Sequence, residues 1–265
     1  MKEFFINIDE IKSQFFRIGN GEKKLIILHG WNQEMDIVES YQPLIDELSE
    51  YDFLENFEII LPHFPGFGKS DIPNKDGWNT TDYAVWLKKF LQKIDITSKD
   101  DVVFFSHSFG GRVLVRFLLK NQNFCQKSII TASAGIKWPL SLRQKVSIFL
   151  SKKFTRCKKT IPQKIQKIIL NKILGARDWG AVKSELKPTL KKVVEEKDFR
   201  ERLSKIKTEI LLIWGAKDKV TPLTSGKVFA DMLPNAKMKI FAEGRHGIHK
   251  TNTTEMAEEI VSFLK

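Results

Sequence analysis

Six short apolar segments alternate along this chain with longer segments of helical periodicity. Each apolar segment runs without interruption into a turn: KKLIILHGW, FEIILPHFPGFGKSD, DVVFFSHSFGG, KSIITASAG, EILLIWGAKD and AKMKIFAEGRH. The helical segments include TTDYAVWLKKFLQKI, for which Thr80 or Thr81 is the predicted N-cap. Strands that are apolar throughout are buried on both faces. The sequence therefore predicts an α/β fold with a mostly parallel central sheet and helices on both faces.

Two further segments, EFFINI and SQFFRIG, precede these and predict an antiparallel start to the sheet. The alternation breaks once, between TASAG and EILLIWG, where about seventy residues are helical and basic. Ligands bind at the carboxyl ends of parallel strands, so an insertion there covers the ligand site. We therefore expect a core formed by residues 1–136 and 208–265, with a helical lid at 137–207 inserted after the sixth strand.

The net charge of +12 is concentrated in that insertion. Residues 137–207 contain 21 Lys and Arg against 6 Asp and Glu, whereas the rest of the chain contains 23 against 26. Because the lysines alternate with apolar residues at helical spacing, they predict amphipathic helices with solvated lysine faces. No nucleic-acid-binding motif accompanies them, so no nucleic-acid partner is expected. Binding of an acidic surface through the lid is the alternative interpretation.

The remaining composition restricts cofactors and location. The two cysteines, Cys125 and Cys157, form no C-x-x-C pair, so neither a disulfide framework nor a zinc site is indicated. We expect no cofactor and no metal. The N-terminal segment lacks the features of a signal peptide, and no apolar stretch is long enough for a membrane span. The sequence predicts a cytoplasmic monomer or homodimer.

The segment VVFFSHSFGG offers two serines as nucleophiles, Ser106 and Ser108. A nucleophile on a sharp strand-to-helix turn needs small residues two positions before and after it, because the two backbones come close there. Ser106 would have Phe104 at the earlier position, which is too large. Ser108 has Ser106 and Gly110 at these positions. Sterics therefore select Ser108.

The segments SHSFGG, LHGW, PGFGKSD, WGAKDKVTP and GRH resemble the α/β-hydrolase superfamily, in its lidded branch of serine esterases and lactonases. They occur in the family's order, each at the end of a predicted strand, and the resemblance covers nearly the whole chain except the lid. It implies the α/β-hydrolase fold and a catalytic triad of serine, histidine and carboxylate.

A serine hydroxyl needs a base to become nucleophilic, and the chain has five histidines as candidates: His29, His63, His107, His246 and His249. His107 is adjacent to Ser108, but its side chain is expected to point away from the hydroxyl. The resemblance implies that His246, just after the last strand, is the base. His249 stays open as the alternative.

The triad acid lies between the serine and the histidine in the chain order of this fold. Asp218 in WGAKDKVTP follows the seventh strand and matches the family's usual acid. The family also implies an oxyanion hole formed by two backbone N–H groups, which here belong to Trp31 and Phe109.

Serine at the turn argues against the dehalogenases and epoxide hydrolases of the superfamily, which use a carboxylate nucleophile. The basic lid disfavours aminopeptidases, whose lids are usually acidic. Carbon–carbon bond hydrolases commonly have Trp after the catalytic histidine, where this chain has Gly247. We therefore expect hydrolysis of small-molecule carboxylic esters with small to medium acyl chains. The alternatives are a lactonase or carbon–carbon bond hydrolase with the same triad, and a non-catalytic ligand-binding protein of the same fold.

Overall fold

The computed structural model describes residues 1–31, 36–137 and 182–265 of the chain. Eight strands form one sheet in the order β1-β2-β4-β3-β5-β6-β7-β8. Strands β1 and β2 pair in antiparallel fashion, as do β2 and β4, and all other pairs are parallel. The strands are β1 Lys2–Ile8, β2 Ile11–Ile18, β3 Lys23–Leu28, β4 Phe57–Pro62, β5 Val102–His107, β6 Lys127–Thr131, β7 Glu209–Gly215 and β8 Ala236–Phe241. The predicted α/β-hydrolase fold, with its antiparallel start, is confirmed.

The described helices form two layers. Helices α1 and α9 pack together, and helices α3 and α4 pack together. The helices are α1 Ile37–Ser49, α2 Phe53–Asn56, α3 Thr80–Lys93, α4 Phe109–Lys120, α5 Lys187–Glu195, α6 Arg200–Leu203, α7 Leu223–Met232, α8 Ile248–Thr251 and α9 Thr253–Leu264.

The N-cap of helix α3 lies one residue before the first of the two predicted positions. Asn79, rather than Thr80 or Thr81, is the N-cap, and its side chain accepts hydrogen bonds from the N–H groups of Thr81 and Asp82. The Asp82 carboxylate in turn accepts from the Asn79 N–H at 2.8 Å. This reciprocal pair satisfies donors that the first helical turn leaves unpaired, and a cap at either threonine would lose it.

The central strands explain why the apolar segments are uninterrupted. Strand β5 lies between β3 and β6, and every one of its residues is buried. The register pairs Leu28 of β3 with Ser106 of β5, and His107 of β5 with Thr131 of β6. The residues that follow the parallel strands β3, β5 and β7 therefore lie together at the carboxyl ends of these strands. Strand β8 forms the sheet edge and is more exposed.

Residues 182–207, the part of the predicted lid that leads into β7, pack on the core. Leu186 is fully buried and lies against Gly66, where a Cβ would come within 2.5 Å of the leucine side chain. The lysines of this part lie largely at the surface, with Lys183, Lys191, Lys192, Lys197, Lys205 and Lys207 exposed. The rest of the predicted lid, residues 138–181, lies outside the described residues.

Glu196 connects residues 182–207 to the core helices α3 and α4. Its carboxylate accepts hydrogen bonds from the backbone N–H and the hydroxyl of Thr80, both at 2.5 Å. It also pairs with Arg112 Nε at 3.3 Å and lies 3.8 Å from Arg116 Nη2. Because the Glu196, Arg112 and Arg116 side chains are largely buried, these ion pairs offset charges that would be costly to leave unpaired. The inserted segment is thereby attached to α4, the helix that begins next to Ser108.

Among the residues that the structure describes, no helix combines the length and apolarity that crossing a bilayer requires. Cys125 is buried as a free thiol, and Cys157 lies outside the described residues. Across the described ranges no cluster of histidine, cysteine and carboxylate side chains is arranged to hold a metal ion.

Candidate active site

Ser108 occupies the sharp turn between β5 and α4. Its backbone has φ 52° and ψ −108°, a conformation that non-glycine residues rarely adopt. Strained backbone conformations of this kind occur most often at functional sites. The turn requires small neighbours, as the sequence predicts. A Cβ at Gly110 would lie 2.1 Å from the carbonyl oxygen of Leu28, and one at Gly111 would lie 2.5 Å from Ser133 Oγ. The chain therefore folds this tightly only because these positions lack side chains.

The two serines of the motif have different surroundings. Ser106 is fully buried in β5, and its hydroxyl donates to the carbonyl oxygen of Ile129 at 3.2 Å. Its own carbonyl accepts from the hydroxyl of Thr131. Ser108 Oγ instead lies 3.0 Å from His246 Nε2. Of the two hydroxyls, the one at Ser108 is in contact with a base.

His246 joins the predicted nucleophile to the predicted acid. Its Nδ1 lies 2.9 Å from Asp218 Oδ2, opposite the Nε2 that faces Ser108. Asp218 follows β7, and its carboxylate is shielded from solvent, while the imidazole is partly exposed. The structure thus brings these three residues into one hydroxyl–imidazole–carboxylate chain. Such a chain can remove the hydroxyl proton and stabilise the resulting imidazolium.

Asp218 is held in its ionised form by its hydrogen bonds. Burial by itself raises the pKa of this carboxyl group, but the bonds from His246 and Thr221 outweigh it and hold the pKa below its usual value. Oδ1 accepts from the backbone N–H groups of Val220 at 2.7 Å and Thr221 at 2.9 Å. Because the carboxylate stays charged, it favours the Nδ1–H tautomer of His246, which leaves Nε2 free to accept a proton.

Thr221 is a site residue that the sequence analysis did not identify. Its Oγ1 lies 2.8 Å from Asp218 Oδ2, 3.2 Å from His246 Nδ1 and 2.9 Å from the carbonyl oxygen of Ala132. It therefore connects the acid to the chain that follows β6. The signal available in the sequence was a threonine three residues after an aspartate, a spacing typical of a side-chain-bonded turn.

His249, the alternative base, has other partners. Its Nε2 lies 3.2 Å from Ser40 Oγ, and its ring stacks on Tyr41 with centroids 4.5 Å apart. The side chain is buried, and burial holds its pKa well below the usual range. The structure therefore places His246, rather than His249, against Ser108.

The two predicted oxyanion residues lie next to each other beside Ser108. The rings of Trp31 and Phe109 meet edge to face with centroids 5.3 Å apart. Phe109 is the first residue of α4, so its N–H has no acceptor within the helix. The loop after β3 is shaped by His29, whose Nε2 accepts from the Phe64 N–H and whose Nδ1 therefore donates to the carbonyl oxygen of Gly30.

A cavity of about 270 Å³ opens at this point. Its walls come from the loop after β3, the start of α1, the β5–α4 turn and the loop after β8. It is lined mainly by aromatic, imidazole and small residues, among them Trp31, Tyr41, His107, Ser108 and His246, and Ile37 and Lys250 complete the wall. The reactive hydroxyl is therefore accessible from a concave site of the kind that small molecules occupy.

Comparison with known proteins agrees with this geometry. The family model described as the alpha/beta hydrolase fold matches residues 23–170, more than half of the chain. This chain belongs to the alpha/beta hydrolase superfamily. It is 24% identical over 284 residues to the 2-hydroxy-6-oxononadienedioate/2-hydroxy-6-oxononatrienedioate hydrolase of Escherichia coli (strain K12), covering 98% of this chain and 94% of that protein.

Solved structures share the hydrolase fold. A serine hydrolase involved in carbazole degradation has a TM-score of 0.74 at 18% identity, covering 99% of this chain and 98% of that one. A thermophilic esterase from Thermogutta terrifontis has a TM-score of 0.71 at 18% identity, covering 100% and 98%. At these identities the likeness shows the common fold of the alpha/beta hydrolases.

The buried histidines of this hydrolase make its stability depend on pH. Burial lowers the pKa to about 3 for His29 and His107 and to about 4 for His63, and it also lowers that of His249. An unfolded histidine binds a proton below about pH 6.5, whereas the folded chain keeps these four neutral. The unfolded state then binds more protons, so the free energy of unfolding should fall by about 1.4 kcal/mol per pH unit for each histidine as the pH decreases from about 6.5 toward 4.

Urea titrations between about pH 7 and pH 5 measure this slope directly. The matched variant is His63→Gln, which removes one of the four titrating groups and should reduce the slope by about a quarter. A free energy of unfolding that stays constant over this interval would contradict the prediction.

Proposed function

We propose that this chain is a serine hydrolase that cleaves carboxylic esters with small to medium acyl chains. The observation that carries the proposal is the continuous chain from Ser108 Oγ through His246 to Asp218, with contacts of 3.0 and 2.9 Å. The strained turn at Ser108 adds support, because it holds the hydroxyl at the carboxyl end of the sheet in front of the base.

In the proposed reaction, Ser108 Oγ attacks the ester carbonyl carbon while its proton moves to His246 Nε2. The tetrahedral intermediate collapses when the C–O bond to the alcohol breaks, and the alcohol leaves with the proton from His246. A water molecule then attacks the acyl-enzyme, again giving a proton to Nε2, and the acid is released as Ser108 recovers its proton. Asp218 stabilises the imidazolium that forms in each half of the reaction.

The negative oxygen of the intermediate needs hydrogen-bond donors. We propose the backbone N–H groups of Trp31 and Phe109 for this role. Phe109 supports it as the first residue of a helix, where an unused N–H and the positive end of the helix dipole coincide. Trp31 supports it by lying in ring contact with Phe109 beside the same turn.

Cleavage of a carbon–carbon bond is the second candidate, and a specific finding favours it. The Escherichia coli relative named as a 2-hydroxy-6-oxononadienedioate hydrolase aligns with 98% of this chain. The residue after the base argues for the ester, because Gly247 stands where hydrolases of that type commonly have Trp. Lactones share the chemistry of esters and belong to the same substrate class.

We also propose the division into a core of residues 1–136 and 208–265 and a lid of residues 137–207. This division is supported by the position of the insertion, which follows β6 at the carboxyl ends of the parallel strands, where Ser108 also lies. The docking of Leu186 and Glu196 onto the core, at Gly66 and Thr80, provides a fixed base for such a lid.

Two measurements on the intact protein test the proposed function. A serine-directed phosphonate should attach to Ser108, as located by mass spectrometry of the digested protein. The second measurement compares three kinds of substrate: p-nitrophenyl esters of increasing acyl length, lactones, and a 2-hydroxy-6-oxo-dienoate of the kind named for the relative. We expect the highest kcat/KM for esters with short to medium acyl chains. Turnover of the dienoate alone would favour the second candidate. Absence of both labelling and turnover would favour a ligand-binding protein and contradict the proposal.

A further inference from the structure

His107 lies between the segments that carry the proposed nucleophile and the proposed base. It is the last residue of β5 and the immediate neighbour of Ser108. Its ring centroid lies 4.8 Å from that of His246 and 4.5 Å from that of His249. The side chain is buried. A single imidazole therefore fills the space between the β5–α4 turn and the loop after β8.

The imidazole makes a hydrogen bond to the backbone of the base itself. His107 Nε2 lies 2.8 Å from the carbonyl oxygen of His246. A carbonyl oxygen only accepts, so Nε2 carries the proton and donates. Burial lowers the pKa of His107 to about 3, so near neutral pH the ring has one proton, and that proton is committed to this bond.

The other edge of the ring faces the loop that contains Trp31. A Cβ at Gly30 would lie 2.7 Å from His107 Nδ1 and 3.5 Å from Ser108 Cβ. Only glycine lets this loop approach so closely. His107 is therefore in contact with three segments at once: the turn of Ser108, the loop after β3 and the loop of His246.

From this geometry we propose that His107 is a positioning residue. Its bond ties the His246 backbone to β5, the strand that leads into Ser108, and thereby sets the distance between Ser108 Oγ and His246 Nε2. This inference rests on the proposed serine-hydrolase function. Ser108 and His246 are 138 positions apart in the chain, and the bond from His107 joins the residue next to Ser108 to the backbone of His246. A displacement of the base weakens proton transfer even when Ser108, His246 and Asp218 are all present.

The test compares His107→Met with His107→Gln. Both side chains are unbranched and of similar length, and the Gln amide can reach the position of Nε2 and donate, whereas Met cannot. We expect His107→Met to lower kcat by about 100-fold while KM changes by less than about threefold, since a small misplacement of reacting groups carries this cost. We expect His107→Gln to recover about tenfold or more of that loss.

Two further readouts separate positioning from general damage. The rate of phosphonate attachment to Ser108 should fall in parallel with kcat, and the thermal midpoints of the Gln and Met variants should lie close together. In the wild-type protein, NMR of isotope-labelled histidine should show the Nε2–H tautomer of His107 with a hydrogen-bonded proton. This last measurement applies even where the Met variant does not fold.

Equal losses in kcat for Met and Gln, wild-type kcat in the Met variant, or an Nδ1–H tautomer of His107 would each overturn the inference. Failure of the proposed function has a different signature, because Ser108→Ala would then retain turnover or the phosphonate would attach to another residue. A protein that loses activity with Ser108→Ala but tolerates His107→Met keeps the proposed function and refutes the positioning role.

Discussion

Ser108→Ala is expected to lower ester turnover by about 10⁶-fold, as nucleophile removal does in other serine hydrolases. In the proposed reaction the Ser108 hydroxyl oxygen forms the bond to the acyl group, and the substitution also breaks the contact of this oxygen with His246. Serine and alanine share the Cβ that makes this φ unfavourable, so the substitution adds no backbone strain and folding should be unaffected. The measurements are kcat/KM with a p-nitrophenyl ester and the thermal midpoint.

The matched control is Ser106→Ala, two residues earlier in the chain and within β5. Its hydroxyl donates to the Ile129 carbonyl inside the sheet, so its loss should cost about 1 kcal/mol of stability and leave most of the activity. Similar losses of turnover from both changes would contradict the assignment of Ser108 as the nucleophile.

His246→Ala and Asp218→Asn should each lower kcat by about 10⁴-fold or more, because one removes the base and the other favours its wrong tautomer. The double variant should be scarcely worse than the worse single one. Each residue acts through the same bonds, so once one is lost the other has little left to contribute. The kcat values of the two single variants and the double variant form the required cycle.

Losses that add in full would mean that the two residues do not act as a unit. His249→Ala is the control, since its ring is bonded to Ser40 and not to Ser108. It should cause a far smaller loss than His246→Ala. A loss as large as that from His246→Ala would shift the role of base to His249.

Much of the fold follows from local patterns. The six apolar segments become β3 to β8, and the central ones need not alternate with polar residues because helices cover these parallel strands on both faces. The choice between Ser106 and Ser108 also follows locally, since Phe104 is too large for the position two residues before Ser106, whereas Ser106 and Gly110 are small enough on either side of Ser108. The N-cap of α3 is Asn79 rather than the predicted Thr80 or Thr81, because the reciprocal bonds of Asn79 and Asp82 depend on side-chain geometry.

By itself, the sequence determined the order of strands and helices and the identity of the strained serine, because periodicity and steric limits act between residues close in the chain. Only the tertiary structure decided which imidazole meets Ser108. His246 and His249 are three positions apart, yet one bonds a residue 138 positions away and the other bonds Ser40, 209 positions away. The contacts of Thr221 with Ala132 and His246, and that of His107 with the His246 backbone, likewise join segments far apart in the chain, so chain packing creates them and no local pattern encodes them.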